Sequence, residues 1–231
     1  MKYGVICAMD EEIKSLRDAL QNEKITKVRD IEFYAGTISN QEVVLVRSGI
    51  GKVEAGITTA LLIINFDVDL IINSGSAGGI GEGLSIGDIV VSTETAYHDA
   101  DARAFDYVYG QLPGQPARFE ASKEWGNKMI EAAKETGLNT KLGLVVSGDQ
   151  FVAGKAAIDK ILGYFPDALS SEMEGAAVGQ VAHDFDVPYL VVRAMSDVGD
   201  EEAGVNFDDF IIEAGKRSAK MLLALFADEE K

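Results

Sequence analysis

Acidic side chains stand directly after several apolar runs of this sequence, where they could take part in proton transfer. They are Asp10, Glu11 and Glu12 after residues 5–8, Glu172 and Glu174 around Met173 after residues 168–171, and Asp197 after residues 191–196. In sheets of parallel strands, ligands bind beyond the carboxyl ends of the strands, and carboxylates placed there can serve as general acids or bases. Each acid taken singly is better interpreted as a helix cap, because helix N-termini attract negative charge.

Other catalytic signatures are weak or absent from the sequence. The small-residue stretch 75–79 lacks the G-x-G-x-x-G order of a dinucleotide site and can also serve a tight turn, and neither a P-loop nor a G-x-S-x-G elbow occurs. His98 and His183 are the only histidines and lie far apart, so no metal-ligand spacing is present. His98 beside Asp99 could shuttle a proton, although a structural histidine is the favoured interpretation. We therefore expect neither a cofactor nor a metal ion.

The composition restricts the class of protein and its partners. The 231 residues include 21 Lys and Arg against 38 Asp and Glu, which gives a formal net charge of −17. Such a surface repels phosphate backbones and anionic lipid, so nucleic acids and membranes are not expected partners. The single cysteine, Cys7, has no disulfide partner, and the first residues do not resemble a signal peptide. The sequence favours one domain over residues 1–231 and a cytoplasmic location.

Hydrophobic periodicity predicts the elements that would position the acids. Strands are predicted at 5–8, 68–72, 86–93, 142–146 and 187–192, and a hairpin at 31–38 and 43–46. Helices are predicted after the first strand, over 52–66, around Trp125 to Ala133, over 173–183, and from Asn206 toward the C-terminus. Continuous apolar strands that alternate with helices are typical of a mostly parallel sheet covered on both faces. The pattern does not determine the strand order.

Eight short segments occur in an order and spacing that resemble one family of enzymes. They are GVICAMDEE at 4–12, SGIGKV at 48–53, NSGSAGG at 73–79, YHDAD at 97–101, GQLPG at 110–114, SGD at 147–149, EMEGAA at 172–177 and RAMSD at 193–197. Together they resemble the 5′-methylthioadenosine/S-adenosylhomocysteine nucleosidases, and the match extends from Met1 nearly to the C-terminus. Similarity of one segment could arise by chance, but eight in register could not.

The resemblance implies an α/β, three-layer phosphorylase-like fold, in which a mixed central β-sheet is flanked by helices on both faces. It also implies a homodimer that hydrolyses the N-glycosidic bond of methylthioadenosine, S-adenosylhomocysteine and 5′-deoxyadenosine in methionine salvage. On the matching positions, Glu12 would activate the attacking water, Asp197 would protonate N7 of adenine, and Glu174 would hold the ribose hydroxyls. These roles agree with general acid–base catalysis and with electrostatic stabilisation of a positively charged sugar.

The resemblance assigns further residues to the substrate. Ser76 and Arg193 would position water and carboxylates, Phe151 would stack on adenine, and Val152 would offer it backbone hydrogen bonds. The remaining residues implied around the base and sugar are Ala77, Gly78, Glu172, Met173 and Ser196. The thioether end would meet Met9, Ile50 and Phe207 of the same chain, although Met9 and Ile50 taken alone are typical core residues. Ala102, Phe105, Tyr107 and Pro113 would come from the neighbouring subunit.

Two other functions fit parts of the sequence. A nucleoside phosphorylase would use the same fold with phosphate as the nucleophile, but the acidic run at 10–12 would oppose an anion, and phosphate needs cationic side chains. Arg47 and Arg193 are the only arginines near the acid-bearing strand ends. A binding protein that has lost the reaction would keep the pocket, but Glu12, Glu174 and Asp197 all stand at the matching positions. The sequence therefore favours hydrolysis.

Overall fold

The computed structural model describes residues 1–198 and 203–229, and its strands form one ten-stranded mixed sheet. The strands are β1 (Lys2–Cys7), β2 (Gln21–Val28), β3 (Ile31–Ile38), β4 (Gln41–Arg47), β5 (Leu70–Gly79), β6 (Ile89–Tyr97), β7 (Phe119–Glu120), β8 (Thr140–Ser147), β9 (Ala168–Glu172) and β10 (Tyr189–Asp197). The helices are α1 (Asp10–Ala19), α2 (Lys52–Phe66), α3 (Lys123–Thr136), α4 (Lys155–Tyr164), α5 (Gly175–Asp184) and α6 (Ala203–Asp228), with a 3-10 turn at Arg103–Phe105.

Five of the strands pair in a closed ring. β5 pairs with β10, β10 with β6, β6 with β8, β8 with β9, and β9 again with β5, while β1, β4, β3 and β2 extend the sheet outward from β5. The pairings β4–β1–β5–β10 are parallel, so the carboxyl ends of these four strands meet at one edge. That edge is where a ligand is expected in an α/β sheet.

Helices cover the sheet in two groups. α1 and α3 both pack against α6, and α2 packs against α5, so the sheet lies between two helical layers. The apolar strands supply the core between them, and Tyr3 of β1 is fully buried edge-to-face against Trp125 and Phe226, with ring centroids 5.6 and 5.0 Å away. Cys7 is a buried free thiol in the same core. The predicted three-layer α/β fold with a mixed central sheet is confirmed.

The structure corrects several predicted elements. The expectation of a mostly parallel sheet was wrong, because β2, β3 and β4 form an antiparallel meander and β6 runs antiparallel to β10. β2 was missed because its sequence, QNEKITKV, is exposed along nearly its whole length and carries no apolar alternation. β5 continues through Gly79, so the small residues 75–79 belong to a strand and not to a turn. The terminal helix begins at Ala203, earlier than the predicted Asn206.

No helix within the described residues combines the length and the apolar character needed to cross a lipid bilayer.

Candidate active site

A cavity of about 200 Å³ opens at the edge where the parallel strands end. Its walls come from the segments after β1, β4, β8 and β9, from the ends of β5 and β10, and from α6. The lining residues are Ala8, Met9, Glu12, Ile50, Ser76, Ala77, Gly78, Gln150, Phe151, Val152, Ser171, Glu172, Met173, Glu174, Arg193, Ser196, Asp197 and Phe207. Residues far apart in the sequence therefore share one concave surface, the kind of place where small-molecule ligands bind.

Glu12 lies at the floor of the cavity with 1% of its surface exposed. One carboxylate oxygen accepts hydrogen bonds from the N–H groups of Ala8 (2.9 Å) and Met9 (3.1 Å), and the other accepts from the N–H (2.9 Å) and hydroxyl (3.0 Å) of Ser76. Because Met9 precedes the first turn of α1, Glu12 also caps that helix. Four donors thus occupy the lone-pair sites of the two oxygens and fix the side chain before any ligand binds.

A buried guanidinium joins the other two glutamates. Arg193 is 1% exposed and donates from one nitrogen to Glu172, to Asn73 and, at 3.4 Å, to Glu174. A second nitrogen donates to the carbonyl of Ser76 at 3.3 Å. Although burial disfavours its charge, the negative charges of the neighbouring glutamates raise the pKa of Arg193. The arginine therefore acts as a fixed cation that compensates the buried acids.

Glu172 serves mainly as a structural anchor. Its carboxylate accepts hydrogen bonds from the N–H groups of Glu174 (3.0 Å) and Gly175 (2.8 Å) at the start of α5, from the hydroxyl of Ser147, and from Arg193. The helix-cap interpretation of a lone acid therefore applies to Glu172.

Glu174 is buried with fewer partners. One carboxylate oxygen accepts a hydrogen bond from the N–H of Gly51 at 2.8 Å, and the other accepts one from the Arg193 guanidinium at 3.4 Å. Burial, opposed by Arg193 and reinforced by the charge of Glu172, raises the pKa of Glu174 from 4.5 to about 7. This carboxyl group changes its charge near neutral pH, and a hydrogen-bonding ligand would shift that equilibrium.

Asp197 is the last residue of β10, lines the same cavity and is 2% exposed. Its carboxylate accepts a hydrogen bond from the hydroxyl of Ser196 at 2.9 Å. The register of β10 against β5 shifts between Met195 and Asp197, which places Asp197 beside Gly78. A Cβ atom at Gly78 would stand 2.9 Å from a carboxylate oxygen of Asp197. The glycine therefore allows the acid to approach β5 closely.

The outer part of the cavity is apolar and half open. Ile50 is 55% exposed and Phe151 is 52% exposed, and the Phe151 ring meets the partly buried Phe207 edge-to-face with ring centroids 5.7 Å apart. Met9, the fourth apolar residue here, is also partly buried. Exposed apolar side chains around a cavity mark a binding surface that a ligand or another chain covers.

The structure brings the predicted site residues of this chain into one cavity and leaves the four residues assigned to a neighbouring subunit outside it. All fifteen site residues predicted within this chain line the cavity. Ala102, Phe105, Tyr107 and Pro113 do not line it, and Phe105 is 77% exposed. Sequence reasoning missed Ala8, Gln150 and Ser171, whose only signal is that each adjoins a predicted site residue.

His98 lies outside the cavity lining and is 4% exposed. Burial lowers its pKa, so the neutral imidazole is favoured. Across residues 1–198 and 203–229, no group of three or more His, Cys, Asp or Glu side chains is arranged to hold a metal ion. The polar side chains that line the cavity are carboxyl groups, one guanidinium, hydroxyls and the amide of Gln150.

Comparison with known proteins identifies close relatives of this arrangement. The family model described as "Phosphorylase superfamily" matches residues 2–227. The chain is 47% identical to the 5′-methylthioadenosine/S-adenosylhomocysteine nucleosidase of Streptococcus pneumoniae, solved with the transition-state inhibitor MT-ImmA. That match has a TM-score of 0.95 and covers 98% of this chain and 99% of that chain.

Two further solved structures extend the comparison. The S-adenosylhomocysteine nucleosidase of Streptococcus pyogenes, in complex with 5-methylthiotubericidin, is 43% identical with a TM-score of 0.96, covering 99% of this chain and 97% of that chain. The futalosine hydrolase of Helicobacter pylori is 35% identical with a TM-score of 0.94, covering 99% of this chain and 98% of that chain.

Proposed function

The chain belongs to the phosphorylase superfamily and, within it, to the 5′-methylthioadenosine/S-adenosylhomocysteine nucleosidases, and from this premise we propose that it hydrolyses the N-glycosidic bond of both nucleosides. The products are adenine and the corresponding thioribose. The single observation that carries the proposal is the convergence of Glu12, Glu174 and Asp197 in one cavity beside an apolar cleft. 5′-Deoxyadenosine, which shares the base and a 5′ end without a hydroxyl, is the third expected substrate.

The leaving base is activated by Asp197 in this mechanism. Adenine departs as a poor anion unless its ring gains a proton, so an acid beside N7 lowers the barrier at the point where negative charge develops. Asp197 stands at the end of β10 with the Ser196 hydroxyl 2.9 Å from its carboxylate, which supports its orientation. The C1′–N9 bond breaks, its electron pair moves into the purine, and the proton from Asp197 binds N7.

Water attacks from the side of Glu12. The Ser76 hydroxyl, 3.0 Å from a Glu12 oxygen, can rotate to a bound water, which then donates its own proton toward the same oxygen. As the water oxygen bonds to C1′, one water proton passes to Glu12. The sugar therefore gains a hydroxyl at C1′, and the atoms of one water molecule are divided between the sugar and the protein.

The ribose lies against Glu174 in the proposed complex. An ionised carboxylate accepts hydrogen bonds from the sugar hydroxyls and stabilises positive charge on the ring in an oxocarbenium-like transition state. Because the pKa of Glu174 is raised to about 7, the neutral and ionised forms are both present near neutral pH. Hydrogen bonds donated by the sugar hydroxyls favour the ionised form, so substrate binding shifts the equilibrium toward it. The guanidinium of Arg193, 3.4 Å away, supports that charge without leaving its own partners.

The thioether end of the substrate meets the apolar part of the cavity, formed by Met9, Ile50 and Phe207. Because Ile50 is more than half exposed, this part is incomplete in a single chain. We propose a homodimer in which the segment 102–113 of the partner covers it. The supporting observation is the 77% exposure of Phe105 in that segment, since a phenylalanine left in water forgoes a large burial energy.

The surroundings favour water over phosphate as the nucleophile. Arg193 is the only Lys or Arg among the described lining residues, and both terminal nitrogens of its guanidinium already donate, to Asn73, Glu172 and Ser76. An incoming phosphate would meet buried carboxylates with no second cation among the described lining residues, at a large electrostatic cost.

Release of adenine from methylthioadenosine by the purified protein tests the proposal. We expect turnover in phosphate-free buffer, with free thioribose as the second product, and no acceleration by added phosphate. Formation of a sugar 1-phosphate would identify a phosphorylase, and binding without turnover would identify a binding protein. Catalytic efficiencies on methylthioadenosine, S-adenosylhomocysteine, 5′-deoxyadenosine and futalosine, measured side by side, would separate the proposed activity from that of the H. pylori relative.

A further inference from the structure

Three charged side chains form a network just behind the cavity wall. Asp99 lies two residues past the end of β6, and both of its carboxylate oxygens accept hydrogen bonds from the Lys52 ammonium, at 2.8 and 2.7 Å. The Asp99 carboxylate also accepts a hydrogen bond from the backbone N–H of Asp149 at 2.9 Å. The Asp149 carboxylate accepts the N–H of Lys52 at 2.9 Å and lies 3.6 Å from its ammonium. None of the three residues lines the cavity itself.

One end of this network leads to the sugar side of the cavity. Lys52 is the first residue of α2, and Gly51 immediately before it donates the 2.8 Å hydrogen bond to Glu174. Ile50, the exposed apolar lining residue, directly precedes Gly51. Gly51 has a φ of +100°, and a Cβ there would lie 3.1 Å from an Asp149 oxygen, so the backbone and the carboxylate fit closely. The network therefore sets the position of the only backbone N–H that hydrogen-bonds to the Glu174 carboxylate within the described residues.

The other end leads to the base side. Asp149 is followed directly by Gln150, Phe151 and Val152, which line the cavity. The segment carrying them is not part of a helix or strand, because β8 ends at Ser147 and α4 begins only at Lys155. The contacts of Asp149 with Asp99 and Lys52 are thus a tertiary restraint at its N-terminal end.

The charge of Asp99 persists over the physiological range. Burial raises its pKa, but hydrogen bonds from Lys52 and from the Asp149 N–H outweigh this effect and leave the pKa below its ordinary value. Its side chain is 13% exposed and that of Lys52 is 24% exposed, so this ion pair is screened by water less than a surface pair.

We propose that Asp99, acting through Lys52 and Asp149, is a positioning residue that holds the sugar-facing loop at 50–51 and the base-facing segment at 150–152 in register across the cavity. The inference rests on the proposed nucleosidase function for its kinetic readout, and on adenine binding for a readout that does not need turnover. Asp99 touches neither the substrate nor the reacting atoms, and its effect is exerted on the segments that do.

Asp99→Asn tests the proposal because the amide keeps the shape but places an NH₂ group beside two donors. We expect the KM for methylthioadenosine and the Kd for adenine, measured by calorimetry, each to rise about tenfold, with kcat changing less than KM. Asp99→Glu, which keeps the charge, should recover part of the loss. Lys52→Gln should reproduce the effect, and the double variant should be no worse than the more affected single variant.

Asp167→Asn is the matched control. It removes a carboxylate that holds Arg118 through a bidentate pair, at 2.7 and 3.0 Å, away from the cavity. Its KM and adenine affinity should equal those of the wild type.

The proposal is overturned by a wild-type KM and adenine affinity in Asp99→Asn, by a lowered Tm without a change in either constant, or by additive effects in the double variant. If Asp99→Asn does not fold, the same criteria apply to Lys52→Gln. A wild-type protein that binds adenine but releases none would instead refute the proposed function.

Discussion

The two ends of the cavity are built on different principles. At the base and sugar end, Glu12, Arg193 and Asp197 are at most 2% exposed, and they stand in the first turn of α1 or on strand β10. At the thioether end, Ile50 is more than half exposed and stands on a loop, and Met9 beside it is only partly buried. The charged groups of the first end are held in place within one chain, whereas the apolar surface of the second end is open in one chain.

The difference has a physical cause. A buried charge is costly unless hydrogen bonds and opposite charges compensate it, so the charged end must be organised in advance by the fold. Preorganised groups also avoid reorganisation during the reaction, which is where electrostatic catalysis gains most. An apolar surface has no comparable constraint, since its burial energy depends on area and not on direction. It can therefore be completed late, by a substrate or by a second subunit.

The largest expected effect comes from breaking the charged end. Glu12→Gln removes the base that accepts the water proton, and we expect turnover of methylthioadenosine to fall by about 10³-fold. Substrate affinity should change less than turnover, because the amide oxygen can still accept from one of the two donor pairs and Glu12 is not the proposed contact of the base or the sugar hydroxyls. Glu11→Gln, the exposed neighbour on the same helical turn, should behave as the wild type. A Glu12→Gln variant with wild-type turnover would show that the two ends do not differ in the way described.

A smaller effect is expected from uncovering the apolar end. Phe105→Ala removes the most exposed of the aromatic side chains that we propose to cover the partner's cavity. The KM for methylthioadenosine should rise about tenfold, in line with the burial energy of one aromatic side chain, while the Kd for adenine stays unchanged. Ile25→Ala on β2, where Ile25 is similarly exposed at 52%, is the control. Equal losses for methylthioadenosine and adenine would contradict the separation of the two ends.

The smallest expected effect concerns stability and sharpens the account of Glu174. Its folded pKa of about 7 exceeds the ordinary 4.5, so its contribution to stability is fully present below pH 4.5 and is lost as the pH rises through 7. Glu174→Gln, which cannot ionise, should therefore raise the Tm at pH 8 by roughly 2 °C or more and change it little at pH 4.5. Scanning calorimetry at the two pH values measures this. A Tm difference between variant and wild type that is the same at both would contradict the raised pKa.

Sequence patterns captured the elements whose periodicity is set locally. The helix predicted over 52–66 is α2 with the same bounds, and the 31–38 and 43–46 hairpin is present as β3 and β4. β2 could not be found, because an exposed edge strand needs no apolar alternation. The closed ring of five strands depends on pairings such as β5 with β9, between residues distant in sequence. Local patterns carry no information on such pairings.

The candidate site was predictable in its members but not in its partnerships. That acids after separate strands would meet follows from where parallel strands end, and the resemblance chose among them. The donors that hold Glu12 come from Ser76, far away in the chain, and from backbone N–H groups that every residue has. Arg193 gave one signal, since it is a charge within an otherwise apolar strand, and such a charge must have a buried partner.

Asp197→Asn, assayed on two leaving groups, tests the central claim most directly. The claim is that Asp197 protonates the departing base while Glu12 activates water in the same cavity. On methylthioadenosine the variant should lose about 10³-fold in kcat, but on the 4-nitrophenyl glycoside of 5-methylthioribose, whose leaving group departs as a stable anion, it should stay within about tenfold of the wild type. Glu12→Gln should be impaired on both. Equal losses for Asp197→Asn on the two substrates would contradict the assignment of the proton to Asp197.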